Sequence, residues 1–132
     1  MNINATADKV WDALINPVIV EKYMLGAKQE SEFKINTPIT WKKRLNGKTF
    51  TDHGTILEIF ETKLIKYSHY SPGSGKPDAL ENYAMITIEL IDDSRSTLLK
   101  LESDNNDSLA EKMGTKKIWQ YYLLGLKIMC EM

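Results

Sequence analysis

The chain has 132 residues, of which 42% are hydrophobic and 27% are charged. These proportions are typical of a folded globular protein, and the length predicts a single domain over residues 1–132. The 17 basic and 18 acidic side chains leave a net charge of −1, so no electrostatic field favours nucleic acid or an anionic membrane as a partner.

The cysteine content and the first residues bear on where the protein works. Cys130 is the single cysteine and cannot form an internal disulfide. The first residues lack the basic and apolar regions of a secretory signal, and no apolar run approaches the ~20 residues that cross a bilayer. We therefore predict a cytoplasmic protein with no membrane partner.

Two short helices are predicted near the N-terminus. Thr6 is a suitable N-cap for a helix over residues 7–14, in which apolar side chains recur at helical spacing. Asn16 and Pro17 end this helix, because the residue before a proline avoids the helical region. Pro17 can then begin a second short helix, which Gly26 stops.

The middle of the chain predicts about six antiparallel strands. From Glu32 the hydrophobic period changes to alternation, with Phe33 and Ile35 on one face of a first strand. Asn46-Gly47 is typical of a two-residue hairpin turn, which needs positive φ at both positions. The remaining strands are predicted over residues 39–42, 49–60, 64–70, 83–91 and 97–101, with only residues 2–4 available for a strand before the first helix.

A long connection and a helix complete the chain. Residues 71–82 contain two prolines and two glycines, and a connection of this length in a small domain often has a function. Ser108 can cap a helical turn at 109–113, an interruption is expected near Gly114, and the main helix is predicted over 116–131. This order predicts an α+β fold, an antiparallel sheet packed on a long C-terminal helix.

The two histidines, His53 and His69, both fall on predicted strands. A metal site usually needs at least three converging ligands, and no spacing here resembles a zinc set, so we expect no metal and no cofactor. His69 lies beside Tyr67 and Tyr70 at the start of the long connection, which makes it the better candidate for contacting a ligand. The alternative is that both histidines are structural.

Glu58 interrupts an apolar strand between Ile56 and Phe60. If this face of the strand points inward, a half-buried carboxylate requires a partner or a ligand. If it points outward, Glu58 is a charge that discourages aggregation of the sheet. The sequence leaves both orientations open, for this strand and for residues 64–70.

Two further patterns have an ordinary structural alternative. Lys43 belongs to a basic run beside Trp41, but on an alternating strand only Lys43 shares the face of Trp41, which favours a solvated strand over a nucleic-acid patch. Gly125 lies in the main helix, where glycine costs ~1 kcal/mol relative to alanine. Either the helix packs closely on the sheet there, or the missing side chain leaves room for a cavity between them.

Several segments together resemble a known superfamily. Residues 8–14 followed by Pro17 are similar to the opening of START-like, helix-grip (SRPBCC) proteins, which include polyketide cyclases and birch-pollen-allergen-like proteins. Residues 23–26, 33–39, 54–59, 64–69, 77–83 and 119–127 resemble the activator-of-heat-shock-ATPase-like (Aha-like) branch. The resemblance covers nearly the whole chain, although Asn36 stands where the branch usually has glycine.

The resemblance implies a seven-stranded curved sheet that grips the C-terminal helix, with a cavity between them in many members, but it does not imply one chemistry. Our leading expectation is a monomeric or homodimeric protein that binds a small apolar or aromatic ligand there. The first alternative is a chaperone-activator type of interaction module, whose partner is a chaperone ATPase. The second is a cyclase or hydrolase with His69 or Glu58 as general acid or base.

The expected ligand site lies between the sheet and the C-terminal helix, with residues 71–82 as its lid. No residue is assigned a catalytic or metal-binding role. The side chains predicted to line the site are Trp41, Ile56, Glu58, Tyr67, His69, Tyr83, Ile86, Ile88, Leu99 and Leu101 from the sheet, and Trp119, Tyr122, Leu123 and Leu126 from the helix.

Overall fold

A computed structural model describes residues 1–105 and 108–132 of the chain. It has seven strands and three helices in an α+β arrangement. In chain order these are β1 Asn2–Ile3, α1 Ala7–Ile15, α2 Pro17–Tyr23, β2 Lys28–Ser31, β3 Pro38–Leu45, β4 Lys48–Phe60, β5 Leu64–His69, β6 Ala84–Asp93, β7 Ser96–Ser103 and α3 Leu109–Glu131.

The seven strands form one antiparallel sheet in the order β1-β7-β6-β5-β4-β3-β2. The two short helices α1 and α2 connect its two edges, and α3 packs against α1, α2 and β1. The core lies between the helices and one face of the sheet, which we call the inner face. Its largest fully buried side chains are those of Ile3, Val10, Val20, Ile39, Ile56, Ile86, Thr97, Leu99 and Leu126. This is the predicted helix-grip fold.

Both N-terminal helices begin where their caps predict. The Thr6 hydroxyl accepts a hydrogen bond from the Lys9 N–H at 3.3 Å, and the Asn16 side chain accepts one from Val18 N–H at 3.1 Å. Such caps satisfy N–H groups that have no partner within the helix. Helix α2 ends at Tyr23, and Gly26 follows with a φ of 83°, as expected for the residue that stops it.

The predicted strand around Phe33 and Ile35 is wrong, because β2 lies earlier, at Lys28–Ser31. Phe33 and Asn36 have φ values of 52° and 66°, and such left-handed residues turn a chain out of a strand. The Asn36 N–H instead donates to the Ile56 carbonyl oxygen at 2.8 Å. Strand β1 pairs with β7 through only two residues. With β1 included, the sheet has seven strands, whereas the sequence patterns predicted about six.

A β-bulge in β4 decides the orientation of Glu58. Asp52, Gly54 and Ile56 alternate inward and are buried, but the register with β5 shifts between Ile56 and Glu58. Because a bulge inserts one residue and reverses the alternation beyond it, Glu58 is exposed while Ile59 packs against the core. Glu58 therefore points away from the predicted ligand site, and its inclusion there is corrected.

Helix α3 is continuous from Leu109 to Glu131, so the predicted interruption near Gly114 is wrong. The Ser108 hydroxyl accepts a hydrogen bond from the Glu111 N–H at 3.1 Å and begins the helix as predicted. A Cβ atom at Gly125 would lie 2.9 Å from the Cβ of Tyr23. Gly125 is thus a close contact, but with α2 and not with the sheet, and it provides no room for a cavity.

Candidate functional site

A cavity of about 500 Å³ lies between the inner face of the sheet, the first half of α3 and the connection after β5. Aromatic side chains form much of its wall. Trp41 and Tyr67 come from β3 and β5, and Trp119 and Tyr122 come from α3. The remaining lining side chains are Met24, Lys43, Asp52, His69, Ser71, Ser74, Lys76, Asn82, Ala84, Ile86, Ser103, Asn105, Glu111, Thr115 and Ile118, with Gly73.

A buried carboxylate anchors the polar end of this cavity. The Asp52 side chain is 4% exposed, and its Oδ2 lies 3.1 Å from Lys43 Nζ and 3.0 Å from His69 Nε2. The Ser71 hydroxyl donates to the other oxygen at 3.3 Å. Lys43, Asp52 and His69 meet because β3, β4 and β5 are neighbours and each presents this side chain on the inner face.

The partners of Asp52 keep it ionised. Burial alone would raise the pKa of the carboxyl, but the hydrogen bond with His69 and the charge of Lys43 outweigh burial and hold the pKa of Asp52 below its ordinary value. The carboxylate and the ammonium compensate each other, so this end of the cavity is polar without a large net charge. It suits a neutral or weakly polar group of a ligand better than a strongly charged one.

Trp41 is fixed in place at the centre of the site. Its indole N–H donates to Gln29 Oε1 at 2.8 Å, and the Gln29 amide donates in turn to the Leu14 carbonyl oxygen at 2.9 Å. Its ring centroid lies 5.2 Å from that of Tyr67 and 5.3 Å from that of His69. Because the indole N–H of Trp41 and the amide of Gln29 are both hydrogen-bonded, Trp41 is held rigidly and presents an apolar surface to the cavity.

Tyr67 brings an unsatisfied hydroxyl to the cavity. Its side chain is 5% exposed, and burial raises its pKa above the ordinary value, so the hydroxyl is neutral. Among the described residues no group forms a hydrogen bond with this hydroxyl, and yet no fully enclosed side-chain polar atom lacks a partner. The hydroxyl of Tyr67 is therefore not fully enclosed. Tyr67 borders both this cavity and a smaller space beneath it, so its hydroxyl is available to donate to or accept from a molecule bound there.

The connection after β5 closes one side of the cavity and is tied to α3. Lys76 Nζ lies 3.2 Å from both carboxylate oxygens of Glu111, in the first turn of the helix. The Tyr70 hydroxyl donates to the Lys76 carbonyl oxygen at 2.6 Å. This segment occupies the position that the sequence predicts for a lid.

Tyr83 lies on the opposite, outer face of the sheet, so it is not near the cavity. There the Tyr83 hydroxyl donates to Asp78, whose other oxygen lies 3.1 Å from His53 Nε2. The Tyr83 ring stacks on Tyr70 at 5.4 Å. The hydrogen bond to Asp78 raises the pKa of Tyr83 to about 12. This outer cluster fastens the connection to the sheet, and the predicted role of Tyr83 at the mouth is corrected.

A family model for Activator of Hsp90 ATPase homolog 1-like proteins matches residues 4–131. The chain belongs to this family. The match confirms the resemblance that the sequence segments indicate. No curated protein matches the chain significantly.

Several solved structures are similar to this chain. A protein of Cytophaga hutchinsonii is 41% identical, with a TM-score of 0.84 over 96% of this chain and 87% of that chain. The Aha1 dimer from Colwellia psychrerythraea is 18% identical, with a TM-score of 0.75 over 100% of this chain and 92% of that chain. An Hsp90 activator from Plasmodium falciparum is 16% identical, with a TM-score of 0.75 over 97% and 90%. The last two show a shared fold.

Six of the predicted site residues of this Aha1-like domain line the cavity, and the others do not. The six are Trp41, Tyr67, His69, Ile86, Trp119 and Tyr122. A space of about 20 Å³, enough for one water molecule, lies deeper and is bordered by Ile88, Leu123 and Leu126. Ile56 and Leu99 are buried in the core, and Leu101 packs against the core.

Sequence reasoning missed Asp52 and its partners Lys43 and Ser71. Strand alternation places Lys43 on the face of Trp41, which was a usable signal. Asp52 shares the face of Gly54 and Ile56 in the same strand, but the undecided orientation of β4 concealed it. Asp52 is therefore found only once the sheet pairing is known.

Three further features of the described residues concern metal binding, the cysteine thiol and membrane crossing. Within residues 1–105 and 108–132, no group of three or more His, Cys, Asp or Glu side chains is arranged to hold a metal ion. Cys130 is 2% exposed, and burial raises the pKa of its thiol, so it serves as a core side chain. None of the helices described combines the length and apolar character that crossing a membrane requires.

Proposed function

We propose that this Aha1-like domain binds a small apolar or aromatic ligand in the cavity beneath α3. A volume of about 500 Å³ falls in the ~300–1,000 Å³ range of small-molecule sites. The observation that carries the proposal is an aromatic cavity of this size, bordered by Tyr67, whose hydroxyl has no partner among the described residues. Such a hydroxyl can form a hydrogen bond with a bound ligand or with water.

The side chains around Tyr67 indicate the chemistry of the ligand. Trp41, Trp119 and Tyr122 offer ring faces and edges, which favour a planar apolar molecule. Asp52 is compensated by Lys43, so the site has no free charge there to pair with a strongly ionic ligand. We therefore expect one polar group at the Tyr67 end and an apolar body under α3.

Native mass spectrometry of the purified protein, beside a denatured control, is the direct test. An added mass that disappears on denaturation supports the proposal and gives the ligand's mass. Fluorescence of the uncharged probe N-phenyl-1-naphthylamine provides a second test that does not depend on what the host cell supplies, because this probe brightens in apolar sites. We expect binding of the probe to the folded protein at a single site.

Two adjacent residues of β6 provide a matched pair of variants. Ala84 lines the cavity on the inner face, whereas Met85 is 39% exposed on the outer face. Ala84→Phe should obstruct the cavity and weaken probe binding at least ~10-fold, while Met85→Phe should leave it unchanged. Equal binding by both variants, with circular dichroism showing that both are folded, would place the bound probe elsewhere and refute the proposed site.

A second candidate function is contact with a chaperone ATPase. The family description and the fold shared with the Plasmodium activator support it. The test is the turnover of purified Hsp90 with increasing amounts of this protein. A saturable rise in turnover supports the candidate, and unchanged turnover at a large excess of the protein excludes it.

A further inference from the structure

Helix α3 is apolar on two faces. Trp119, Leu126 and Cys130 point into the fold, as the gripped face of this helix requires. On the opposite face lies a second apolar row, the outer stripe, which consists of Tyr121, Leu124 and Ile128. These residues are 60%, 53% and 57% exposed.

The outer stripe has the spacing of a helix that packs on another helix. Its members are three and four residues apart, so at 3.6 residues per turn they form one continuous row. A surface helix normally carries polar residues on its outer face. A contiguous exposed apolar row instead marks a surface that is covered by a partner.

The charges beside the stripe indicate which partner fits. Lys117 and Glu131 lie in line with Leu124, about 20° to either side of it, one beyond each end of the stripe, as the 100° step per residue requires. Lys117 has no ion pair or side-chain hydrogen bond with any residue that the structure describes. Glu131 accepts from the Asn4 N–H and from Lys127 through the same oxygen, Oε2. Its other oxygen, Oε1, has no partner within the described residues.

These positions are symmetric about Leu124, because Lys117 and Glu131 are each seven residues from it. When two copies of α3 pack antiparallel across a twofold axis at Leu124, the residue seven positions before Leu124 in one copy faces the residue seven positions after it in the other. Lys117 of one copy then meets Glu131 of the other, twice per dimer. In the same arrangement Tyr121 of one copy lies next to Ile128 of the other. The surface is therefore self-complementary in both its apolar and its charged residues.

We propose that a second copy of this chain covers the outer stripe, as an antiparallel α3–α3 pair with Leu124 at the twofold axis. The contact uses the face of α3 that points away from the cavity. It therefore leaves the proposed ligand site of each copy in place. The proposal does not depend on whether that site is occupied.

Sedimentation velocity and light scattering over a wide range of protein concentration test this arrangement. We expect the mass of two chains for the wild type. Leu124→Glu places two like charges at the axis and should raise the dimer dissociation constant by at least ~100-fold. The control is Phe60→Glu, at a strand residue that is 60% exposed and outside the stripe, and it should remain dimeric.

The register is tested by the salt dependence of the same measurement. Two solvent-exposed ion pairs each contribute modestly to such a contact and are screened by salt, so Lys117→Ala, which removes both, should weaken the dimer by ~3- to 30-fold and reduce its sensitivity to salt. A wild type that stays monomeric at high concentration overturns the proposal and leaves the stripe to a different partner. A dimer that Leu124→Glu does not dissociate overturns the proposed face, and an unchanged salt response in Lys117→Ala overturns the register.

Discussion

A single carboxylate joins three strands at the polar end of the cavity. Asp52 on β4 receives Lys43 from β3 and His69 from β5, and the Ser71 hydroxyl extends the cluster into the connection beyond. The carboxylate is nearly enclosed, whereas the Lys43 and His69 side chains are 32% and 31% exposed. Loss of the carboxylate therefore leaves two groups that water can partly solvate.

Replacing Asp52 with asparagine should destabilise the fold by about 1–2 kcal/mol at pH 7. Because the folded state lowers the pKa of Asp52, its ionised form stabilises the fold above the unfolded pKa of about 3.9, and this contribution is lost as pH falls through the folded pKa. The difference in unfolding free energy between wild type and variant should therefore narrow below pH ~4. Urea denaturation at pH 7 and at pH 3 measures it.

The exposed carboxylate Asp92 provides a control for this effect. Asp92→Asn should change the free energy of unfolding by less than ~0.5 kcal/mol. If Asp52→Asn is equally mild at pH 7, the cluster does not stabilise the sheet. If its effect is the same at both pH values, packing and not charge explains it.

Single residues also show where sequence patterns stop being sufficient. The alternation of β4 is regular, but one bulge between Ile56 and Glu58 reverses it. No side chain in that segment indicates the bulge, because the bulge arises from the register between β4 and β5. Tyr83 was misplaced for a related reason: its position beside the long connection was predicted, but not the face of the sheet on which it lies.

At the scale of elements, local signals predicted most of the fold. The cap at Thr6, the break at Asn16-Pro17, the hairpin turn at Asn46-Gly47 and the cap at Ser108 are signals that each act within a few residues. Strand β2 lacked such a signal and was predicted too late in the chain. Its residues pair with β3, so the existence of β2 depends on a strand pairing that local patterns do not reveal.

The two glycines of α3 have opposite roles, although both sit inside the same helix. A Cβ at Gly114 would meet open space, whereas one at Gly125 would lie 2.9 Å from Tyr23 Cβ. Helix propensity favours alanine at both positions by ~1 kcal/mol. The contact with α2 decides which substitution stabilises the protein.

Gly114→Ala should therefore raise the free energy of unfolding by about 0.5–1 kcal/mol. Gly125→Ala should lower it by about 1–2 kcal/mol, because the helices must separate slightly and loosen contacts around Tyr23. Urea denaturation of both variants beside the wild type measures the contrast. Equal stabilisation by both would mean that α2 and α3 adjust to the added methyl group without cost.

The space between the sheet and α3 is filled by core side chains in one part and contains a cavity in another. Ile56, Leu99 and Leu126 fill the core, whereas the cavity of about 500 Å³ lies under the first half of α3. The residues named from the sequence as candidates include six that line it, His69 among them. Asp52 and Lys43 were not among them, because these two side chains meet His69 only through strand pairing.

An empty cavity of this size should lower the stability of the whole molecule. A ligand present at 100 times its dissociation constant contributes about 2.7 kcal/mol to the folded state, which corresponds to a change in Tm on the order of 10 °C for a domain of this length. Protein that is unfolded, separated from small molecules and refolded should therefore melt lower than protein purified with its ligand. Differential scanning calorimetry of the two preparations measures the difference.

The Ala84→Phe variant distinguishes loss of a ligand from damage caused by refolding. The phenylalanine side chain that this variant introduces obstructs the cavity and prevents ligand binding, so its Tm should be the same before and after refolding. A fall in Tm shared by wild type and variant would mean that refolding itself is incomplete. A wild-type Tm that does not fall, although the native mass spectrum shows a bound molecule before refolding, would mean that this molecule binds without stabilising the fold and lies outside the cavity.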